Sequence, residues 1–145
     1  MKQYVDPRMH TAEHILNQTM VRMFGCGRCF SSHIEKNKSK CDYHFQRELT
    51  GEEVREIERM VNEVIEHDLP VEEEFMDREA AASQFDLSRL PDTGDRTIRI
   101  VKVGDYDACP CAGEHVKNSK AIGKFRITTT SHGSAVLRIR FKLIP

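Results

Sequence analysis

Apolar residues recur at helical spacing in two long stretches of the chain. The first runs from Asp6-Pro7, where Asp suits the N-cap and Pro the first helical position, to about Phe24, and Gly25 ends it. The second covers residues 50–69 and opens with the Thr-Gly-Glu-Glu form of a capping box. The pattern predicts two long helices, of which the second carries most of the acidic charge.

Alternating apolar and polar residues predict strands elsewhere. Alternation on both sides of the basic loop 36–39 indicates a hairpin, and a second hairpin is indicated at 125–143 with a turn at 131–134. Between the hairpins we expect a strand at 71–76, a short helix from Asp77 to Ala82, a turn at 91–95, a strand at 98–103 and a loop at 107–115. The predicted class is α+β, with a mixed, largely antiparallel sheet packed against the two long helices.

Composition and charge limit the class of protein. The 145 residues suit a single domain, 1–145, and 39% hydrophobic with 31% charged residues excludes a disordered or collagen-like chain. The formal net charge is only −1, but residues 1–50 carry 8 basic and 5 acidic side chains, 51–95 carry 4 and 15, and 116–145 carry 7 basic and no acidic ones. If the basic ends pack together they form a positive face suited to nucleic acid; otherwise they only solvate strand faces.

The N-terminal sequence and the cysteines indicate the compartment. Residues 1–6 lack the apolar core of a signal peptide, and no stretch approaches the ~18 apolar residues that a membrane span needs. We therefore expect a cytoplasmic protein without a membrane partner. The five cysteines are an odd number, and in a reducing compartment they are better interpreted as thiols or metal ligands than as disulfides.

Two His/Cys pairs of equal spacing predict a metal site. His10 and His14 are four residues apart in the first predicted helix, so both rings project from one face. Cys111 and His115 repeat that spacing in the predicted loop, where Gly113 allows a tight turn. Three imidazoles and one thiolate suit Zn²⁺ better than Mg²⁺ or Ca²⁺. The predicted zinc site therefore lies between a helix and a loop.

Other interpretations of the same residue types remain open. A CxxC and a CxC could together form a structural site from four cysteines: Cys26, Cys29, Cys109 and Cys111. The cysteines of the first half, including Cys41, are alternatively small buried thiols. The segment 10–14 also matches the HxxEH of inverted zinc peptidases, but those enzymes need a distal carboxylate ligand and longer chains. We expect that match to be accidental and Glu13 to be solvated.

Three motifs, taken in order, resemble a known family. They are His10-Thr-Ala-Glu-His14-Ile-Leu, the Leu49-Thr-Gly-Glu-Glu start of the acidic helix, and Cys111-Ala-Gly-Glu-His115-Val-Lys-Asn followed by Ile122-Gly-Lys-Phe. Together they are similar to the second additional domain of alanyl-tRNA synthetases, which is shared with threonyl-tRNA synthetases and free-standing AlaX editing proteins. The resemblance covers about residues 8–142. It implies an ATP-independent zinc hydrolase that removes a wrong amino acid, typically serine or glycine, from the acceptor end of alanine tRNA.

The resemblance also implies roles for individual residues. It places the family's zinc ligands on the four residues found by spacing: His10, His14, Cys111 and His115. Ser31 and Ser32 fall near the family's Gly-Ser segment beside the amino-acid pocket, and with Gly113 they are the expected substrate-binding residues. Glu114 stands where the family's CGGTH has threonine. We expect its carboxylate to act as the catalytic residue, either by accepting a proton or by binding the substrate's α-ammonium group; the alternative is that it points into solvent.

Two functions other than editing fit the same residues. One is an RNA-binding module in which zinc is structural, and the other is a zinc hydrolase of small esters or amides on the same fold. For tRNA we expect backbone contacts from 116–145 and from the loop residues Lys36, Lys38 and Lys40, which hold the excess positive charge. Deacylation of mischarged tRNA separates editing from both alternatives, and salt-dependent RNA affinity separates those two from each other.

Overall fold

Two antiparallel sheets and three α-helices make up the part of the chain that the computed structural model describes, which is residues 6–88, 90 and 94–144. In chain order the elements are α1 (Pro7–Phe24), β1 (Ser31–Ile34), β2 (Ser39–His44), α2 (Gly51–Glu66), β3 (Val71–Asp77), α3 (Arg78–Gln84), β4 (Thr97–Val103), β5 (Asp107–Pro110), a 3₁₀ turn (Ser119–Ile122), β6 (Lys124–Gly133) and β7 (Val136–Ile144). The turn predicted at 91–95 falls mostly on residues 91–93, which lie outside the described residues.

The predicted capping residues define the ends of the two long helices. The Asp6 carboxylate accepts hydrogen bonds from two N–H groups of the first turn of α1, at 2.9 and 3.4 Å. Gly25 ends that helix with φ 66°, a left-handed conformation that glycine adopts without strain. At the start of α2, Thr50 and Glu53 form the reciprocal hydrogen bonds of a capping box. None of the helices among the described residues has the length and apolar character needed to cross a membrane.

The larger sheet joins the two ends of the chain. Its strand order is β1-β2-β7-β6, and each neighbouring pair is antiparallel. Its inner face packs against α1 and α2 in a core that includes Leu137, Ile139 and Phe141. Its outer face carries basic residues at alternate positions, with Lys40 directly opposite Arg140. The two basic ends of the chain therefore do pack together and form a positive face.

Both predicted hairpins are present, but the second one turns later than expected. Ser131 and His132 remain paired with β7, and the turn is made by Ser134 and Ala135 instead of residues 131–134. These two residues have φ values of 53° and 61°, as in a two-residue type I′ turn, whose twist matches that of the flanking strands. Because neither residue is Gly, Asn or Asp, the usual sequence signal of such a turn is absent, and the predicted turn shares only Ser134 with the observed one.

The smaller sheet positions the loop that carries Cys111 and His115. Its order is β3-β4-β5, which confirms the strands predicted near 71–76 and 98–103, and α3 packs against it through Ala81. The structure adds β5 where the sequence predicts a loop, because pairing with β4 and not its own Asp-Ala-Cys-Pro pattern makes this segment a strand. The α+β class is confirmed, but the strands form two antiparallel sheets instead of one mixed sheet.

Candidate metal centre

The four residues predicted as zinc ligands come together where α1 meets the loop after β5. His10 and His14 lie one turn apart on α1, while Cys111 and His115 lie in that loop. Each offers a ligand atom, and these four atoms all lie within 4.8 Å of one another. The Cys111 sulfur is 3.3 Å from His10 Nε2 and 3.5 Å from His115 Nε2. The helix and the loop therefore build one cluster of nitrogen and sulfur donors.

Hydrogen bonds on the outer side of the cluster fix the tautomers of two rings. His10 Nδ1 lies 3.0 Å from the backbone oxygen of Glu114, and because a carbonyl only accepts, Nδ1 carries the proton. His115 Nδ1 lies 3.0 Å from Thr11 Oγ1, whose own proton is donated to the Pro7 carbonyl at 3.0 Å. The Thr11 hydroxyl therefore accepts from His115 Nδ1. In both rings the lone pair is on Nε2, the nitrogen that faces the cluster, as in oriented imidazole ligands.

A buried carboxylate orients the third ring. His14 Nδ1 lies 3.6 Å from Asp107 Oδ2, and both side chains are almost fully buried. Arg28 holds the Asp107 carboxylate with two hydrogen bonds, of 2.7 and 3.2 Å. Among the described residues, His14 Nδ1 is fully buried and makes no hydrogen bond of normal length, and the Asp107 carboxylate is the charged group beside it. The contact with Asp107 is thus what directs Nδ1 outward and leaves Nε2 for the cluster.

Arg99 and Gly113 set the path of the loop. Arg99, on β4, donates from Nη1 to the carbonyls of Cys111 at 2.9 Å and Gly113 at 2.7 Å. Gly113 itself lies against the His10 ring, so that a Cβ at this position would come within 2.7 Å of His10 Nδ1. Real Cβ atoms do not approach other atoms so closely. Only glycine therefore lets the loop bring Cys111 this close to α1.

Mutual interactions shift the pKa values of the cluster. Burial opposes a charge on His14, but the neighbouring Asp107 carboxylate and Cys111 thiol outweigh it and raise the pKa of His14 above its ordinary value. Burial likewise opposes a thiolate at Cys111, yet His14 lowers the pKa of that thiol overall. Burial, assisted by the charges of His14 and His10, lowers the pKa of His115 to about 2. The environment therefore favours a thiolate at Cys111 and a neutral ring at His115.

A cavity of about 850 Å³ opens beside the cluster. His10, His14 and Cys111 form part of its wall, and so do the predicted substrate-binding residues Ser32 and Gly113. Its volume is within the range of about 300–1,000 Å³ that is usual for sites of small molecules. The remaining lining includes residues from α1, from the segment before β1, from β2 and from the segment after α3: Glu13, Asn17, Arg28, Phe30, His44 and Asp86. The donor cluster is thus open to a cavity and not sealed in the core.

Two other predicted site residues do not face this cavity. Ser31 is exposed on the outer face of the larger sheet, because successive strand residues point to opposite sides and Ser32 points inward. Glu114 is exposed and lines a separate groove of about 300 Å³ that His115 also borders. The contribution of Glu114 to the cluster is its backbone oxygen, which holds His10. Glu114 is therefore not among the residues that line the cavity beside the donor cluster.

Glu13 is buried, contrary to the expectation that it is solvated. Its exposed fraction is 6%, and it lines the cavity. One carboxylate oxygen accepts a hydrogen bond from the Cys29 thiol at 3.5 Å, and the other lies 3.9 Å from His10 Nε2. A signal for this placement was available, since His10, Glu13, His14 and Asn17 recur at helical spacing and share one face of α1. That face is the polar side that α1 turns toward the cavity.

The alternative site of four cysteines does not assemble. Cys26 donates a hydrogen bond to the carbonyl of Met20, and Cys109 lies next to the carbonyl of Pro110. Cys29 and Cys41 are buried and form a separate group with Glu13. Only Cys111 of the alternative set belongs to the histidine cluster. The interpretation as buried thiols is confirmed for Cys29 and Cys41 and fits the half-buried Cys26 less well.

The residues present fit a metal ion. Three imidazoles, two of which present Nε2 lone pairs through defined tautomers, and one thiol surround a common point. This donor set is typical of zinc sites, and the outer hydrogen bonds are of the kind that orient metal-ligating histidines. The cluster can therefore hold a metal ion, and its nitrogen and sulfur donors favour zinc over magnesium or calcium.

Comparisons with known proteins agree with this arrangement. The family model of the threonyl and alanyl tRNA synthetase second additional domain matches residues 98–140, which include Cys111 and His115. Among similar curated proteins, the alanine–tRNA ligase of Fervidobacterium nodosum is 34% identical over 132 residues (90% of this chain), and that of Methanopyrus kandleri is 33% identical over 138 residues (92%). The ligase of Caldicellulosiruptor saccharolyticus is 32% identical over 130 residues (89%). The chain spans about 15% of the length of each of these relatives.

Proposed function

The chain belongs to the threonyl and alanyl tRNA synthetase second additional domain family, and on this premise we propose that it hydrolyses mischarged alanine tRNA in trans, with zinc as its cofactor. The amino acid released would be serine or glycine, and the reaction would take place in the cytoplasm, where tRNAs are charged. The observation that carries the proposal is the position of the donor cluster in the wall of a cavity of about 850 Å³. The cavity would let a substrate ester reach an ion held by this cluster, which a metal site enclosed in the core would not allow.

The metal and the chain have separate tasks in such a reaction. Zinc held by His10, His14, Cys111 and His115 would supply Lewis acidity for the attack of water on the aminoacyl ester. The chain fixes the donors before substrate arrives, through the Glu114 carbonyl, Thr11 and Asp107 on the three rings and Arg99 on the loop. Each of these contacts comes from an element other than the one that carries the ligand it holds, so the helix, the loop and the two strands preorganise the metal site together.

Residues in the cavity can recognise the amino-acid part of the substrate. Every aminoacyl ester presents an α-ammonium group, for which a carboxylate is the natural partner. Glu13 is buried at the cavity wall beside His10, whereas Asp86, another acidic residue of the lining, is exposed. Glu13 therefore takes the role of ammonium partner that the sequence suggested for Glu114. Ser32 offers a hydroxyl that can pair with a serine side chain, and leaving it unpaired penalises alanine.

The positive outer face of the larger sheet suits the tRNA backbone. Lys40 and Arg140 are directly paired across β2 and β7, and Arg126 and Lys142 are paired across β6 and β7. The loop between β1 and β2 adds Lys36 and Lys38, both exposed. Phosphate contacts of this kind position an RNA and make its binding weaken as salt increases.

The decisive experiment is deacylation by purified, metal-analysed protein of alanine tRNA charged with serine, glycine or alanine. We expect loss of serine or glycine and retention of alanine. Cys111→Ser should lose the metal and reduce deacylation about 100-fold or more, because it removes the only thiolate of the donor set. Cys26→Ser is the matched control: Cys26 lies outside the cluster, so both metal content and activity should stay at the level of the unmodified protein.

Other outcomes would favour the alternative functions. Tight RNA binding with metal present but no deacylation of any charged tRNA would indicate an RNA-binding module. Hydrolysis of small aminoacyl esters without RNA affinity would indicate a small-molecule hydrolase.

A triple substitution tests the contact with the tRNA backbone. If the protein edits tRNA, changing Lys36, Lys38 and Lys40 together to Gln should weaken the dependence of tRNA binding on salt. The slope of log affinity against log salt concentration should fall by about one unit for each phosphate contact that is lost. Lys102→Gln, on the smaller sheet, should leave that slope unchanged.

A further inference from the structure

An exposed aromatic pair lies at the cavity that holds the donor cluster. The rings of Phe30 and His44 are stacked, with centroids 4.0 Å apart and an angle of 13° between their planes. Phe30 is 40% exposed, and both residues line the cavity. Phe30 therefore combines exposure to solvent, a flat stacking partner and a position beside the candidate metal centre.

Exposure alone would not distinguish Phe30. Phe75, on β3, is 61% exposed and is the other large hydrophobic residue exposed in the described part of the chain. It borders neither of the two cavities described above, and no stacked ring is found beside it among the described residues. Single exposed apolar side chains of this sort are common and need no function. The stacked pair at the cavity is the feature that calls for a ligand.

The position of the pair connects the cavity with the positive face. His44 follows Lys40 and Asp42 at alternate positions of β2, which place it on the outer side of the larger sheet. On the neighbouring strand, Ser32 lies two residues after Phe30 and faces the cavity. Because β1 is an edge strand, nothing in this sheet continues beyond it. The pair thus forms the rim between the basic outer face and the cavity.

An unpaired nucleobase fits this rim. Single-stranded nucleic acids are held by aromatic rings that stack on their bases and by basic side chains that contact their phosphates. In an aminoacyl-tRNA the ribose lies between the terminal base and the ester. A base stacked at the rim therefore directs the ester toward the cavity, while the preceding phosphates lie toward the basic face.

We propose that the Phe30–His44 pair is a stacking platform for the unpaired base at the 3′ end of an RNA, the terminal adenine of tRNA. The inference rests on the proposed function and names the part of the substrate that this rim binds. The platform contributes binding and orientation and takes no part in the chemical step. Loss of the flat ring should therefore raise KM and leave kcat nearly unchanged.

Fluorescence of a modified base tests the stacking directly. The full chain is titrated with an uncharged RNA hairpin that ends in single-stranded ACCA, with 2-aminopurine as the terminal base. Stacking quenches this fluorophore, so the unmodified protein and Phe30→Tyr should quench it. Phe30→Leu keeps the apolar bulk but lacks the ring, so it should lose the quenching and bind the hairpin about 5-fold or more weakly. Phe75→Leu is the matched control and should behave like the unmodified protein.

The results separate this inference from the proposed function. Deacylation of mischarged tRNA, together with unquenched 2-aminopurine and equal affinities of the unmodified protein and Phe30→Leu, would overturn the platform and leave the editing function intact. Absence of deacylation with quenching that Phe30→Leu abolishes would overturn the editing function while supporting a site for RNA ends. A hairpin whose terminal nucleotide is abasic should bind the unmodified protein and Phe30→Leu equally, and a remaining difference would also overturn the platform.

Discussion

The two long helices are similar in length but bury different kinds of residue. The buried side of α2 consists of four apolar residues: Ile57, Val61, Val64 and Ile65. The buried side of α1 mixes apolar residues with five polar ones: Thr11, Glu13, His14, Asn17 and Thr19. Apolar burial stabilises a fold at roughly 25 cal/mol per Å², whereas buried polar groups are costly unless they are hydrogen-bonded. The composition of α2 is therefore explained by stability, and that of α1 is not.

The contacts of α1 show what its polar side is for. Asn17 accepts hydrogen bonds from Tyr43 at 2.7 Å and from the backbone of Cys29 at 3.2 Å, so it fastens the helix to the first hairpin. Thr11 orients His115, and Glu13 lines the cavity. One face of α1 thus serves the donor cluster and the cavity, and α2 provides the apolar support. The comparison predicts that changes near α1 affect metal and substrate, whereas changes in α2 affect only stability.

The largest expected effect is loss of bound metal on substitution of Gly113, in the loop after β5. In Gly113→Ala the new Cβ would overlap the His10 ring, so either the ring or the loop must shift. Because the donor atoms would then no longer converge, we expect loss of most of the bound metal, measured by metal analysis of the purified protein. Gly27→Ala is the matched control, since Gly27 also lines the cavity but a Cβ there meets nothing within 4 Å. Full metal content in Gly113→Ala would mean that the close approach of loop and helix is not needed.

The second prediction tests whether α2 contributes stability without affecting the metal. Ile57 is fully buried in the core, so Ile57→Ala should lower the free energy of unfolding by about 2–5 kcal/mol through lost burial and an unfilled cavity. The metal content of the folded protein should not change, because Ile57 lies outside the donor cluster. Denaturant unfolding and metal analysis of the same samples measure the two quantities. Arg55→Ala, at an exposed position of the same helix, should stay within about 0.5 kcal/mol of the unmodified protein. Metal loss in folded Ile57→Ala would contradict the separation of roles.

Local signals in the sequence predicted the helices and the donor residues. Caps and spacing are properties of neighbouring residues, so Asp6, Gly25 and Thr50 fixed the helix ends correctly. The pairs His10/His14 and Cys111/His115 were likewise recognisable by their spacing. The resemblance to the synthetase domain then placed these two distant pairs in one site.

Long-range partners were not predictable in the same way. Arg99 holds the loop from β4, and Asp107 orients His14 from β5, a strand that exists only through its pairing with β4. The position of Glu114 also involves such a contact: its carbonyl is hydrogen-bonded to His10, and the residue lines a different groove. Glu13 was misjudged because the charge of a helical residue was taken as a sign of solvent, although its spacing from His10 and His14 placed it on their face.

The smallest effect concerns which carboxylate meets the substrate, Glu13 on α1 or Glu114 in the loop. Glu13→Gln keeps the shape and removes the charge at the cavity wall, so we expect KM for serine-charged tRNA to rise about 10-fold with little change in kcat. Stability should be equal or higher, because an ionisable group leaves a buried position. Glu114→Gln is the matched control and should keep both kinetic constants, since Glu114 lines the other groove and not the cavity. A fall in kcat of about 100-fold or more in Glu13→Gln would instead show that Glu13 transfers a proton, and altered kinetics in Glu114→Gln alone would return the role to the loop.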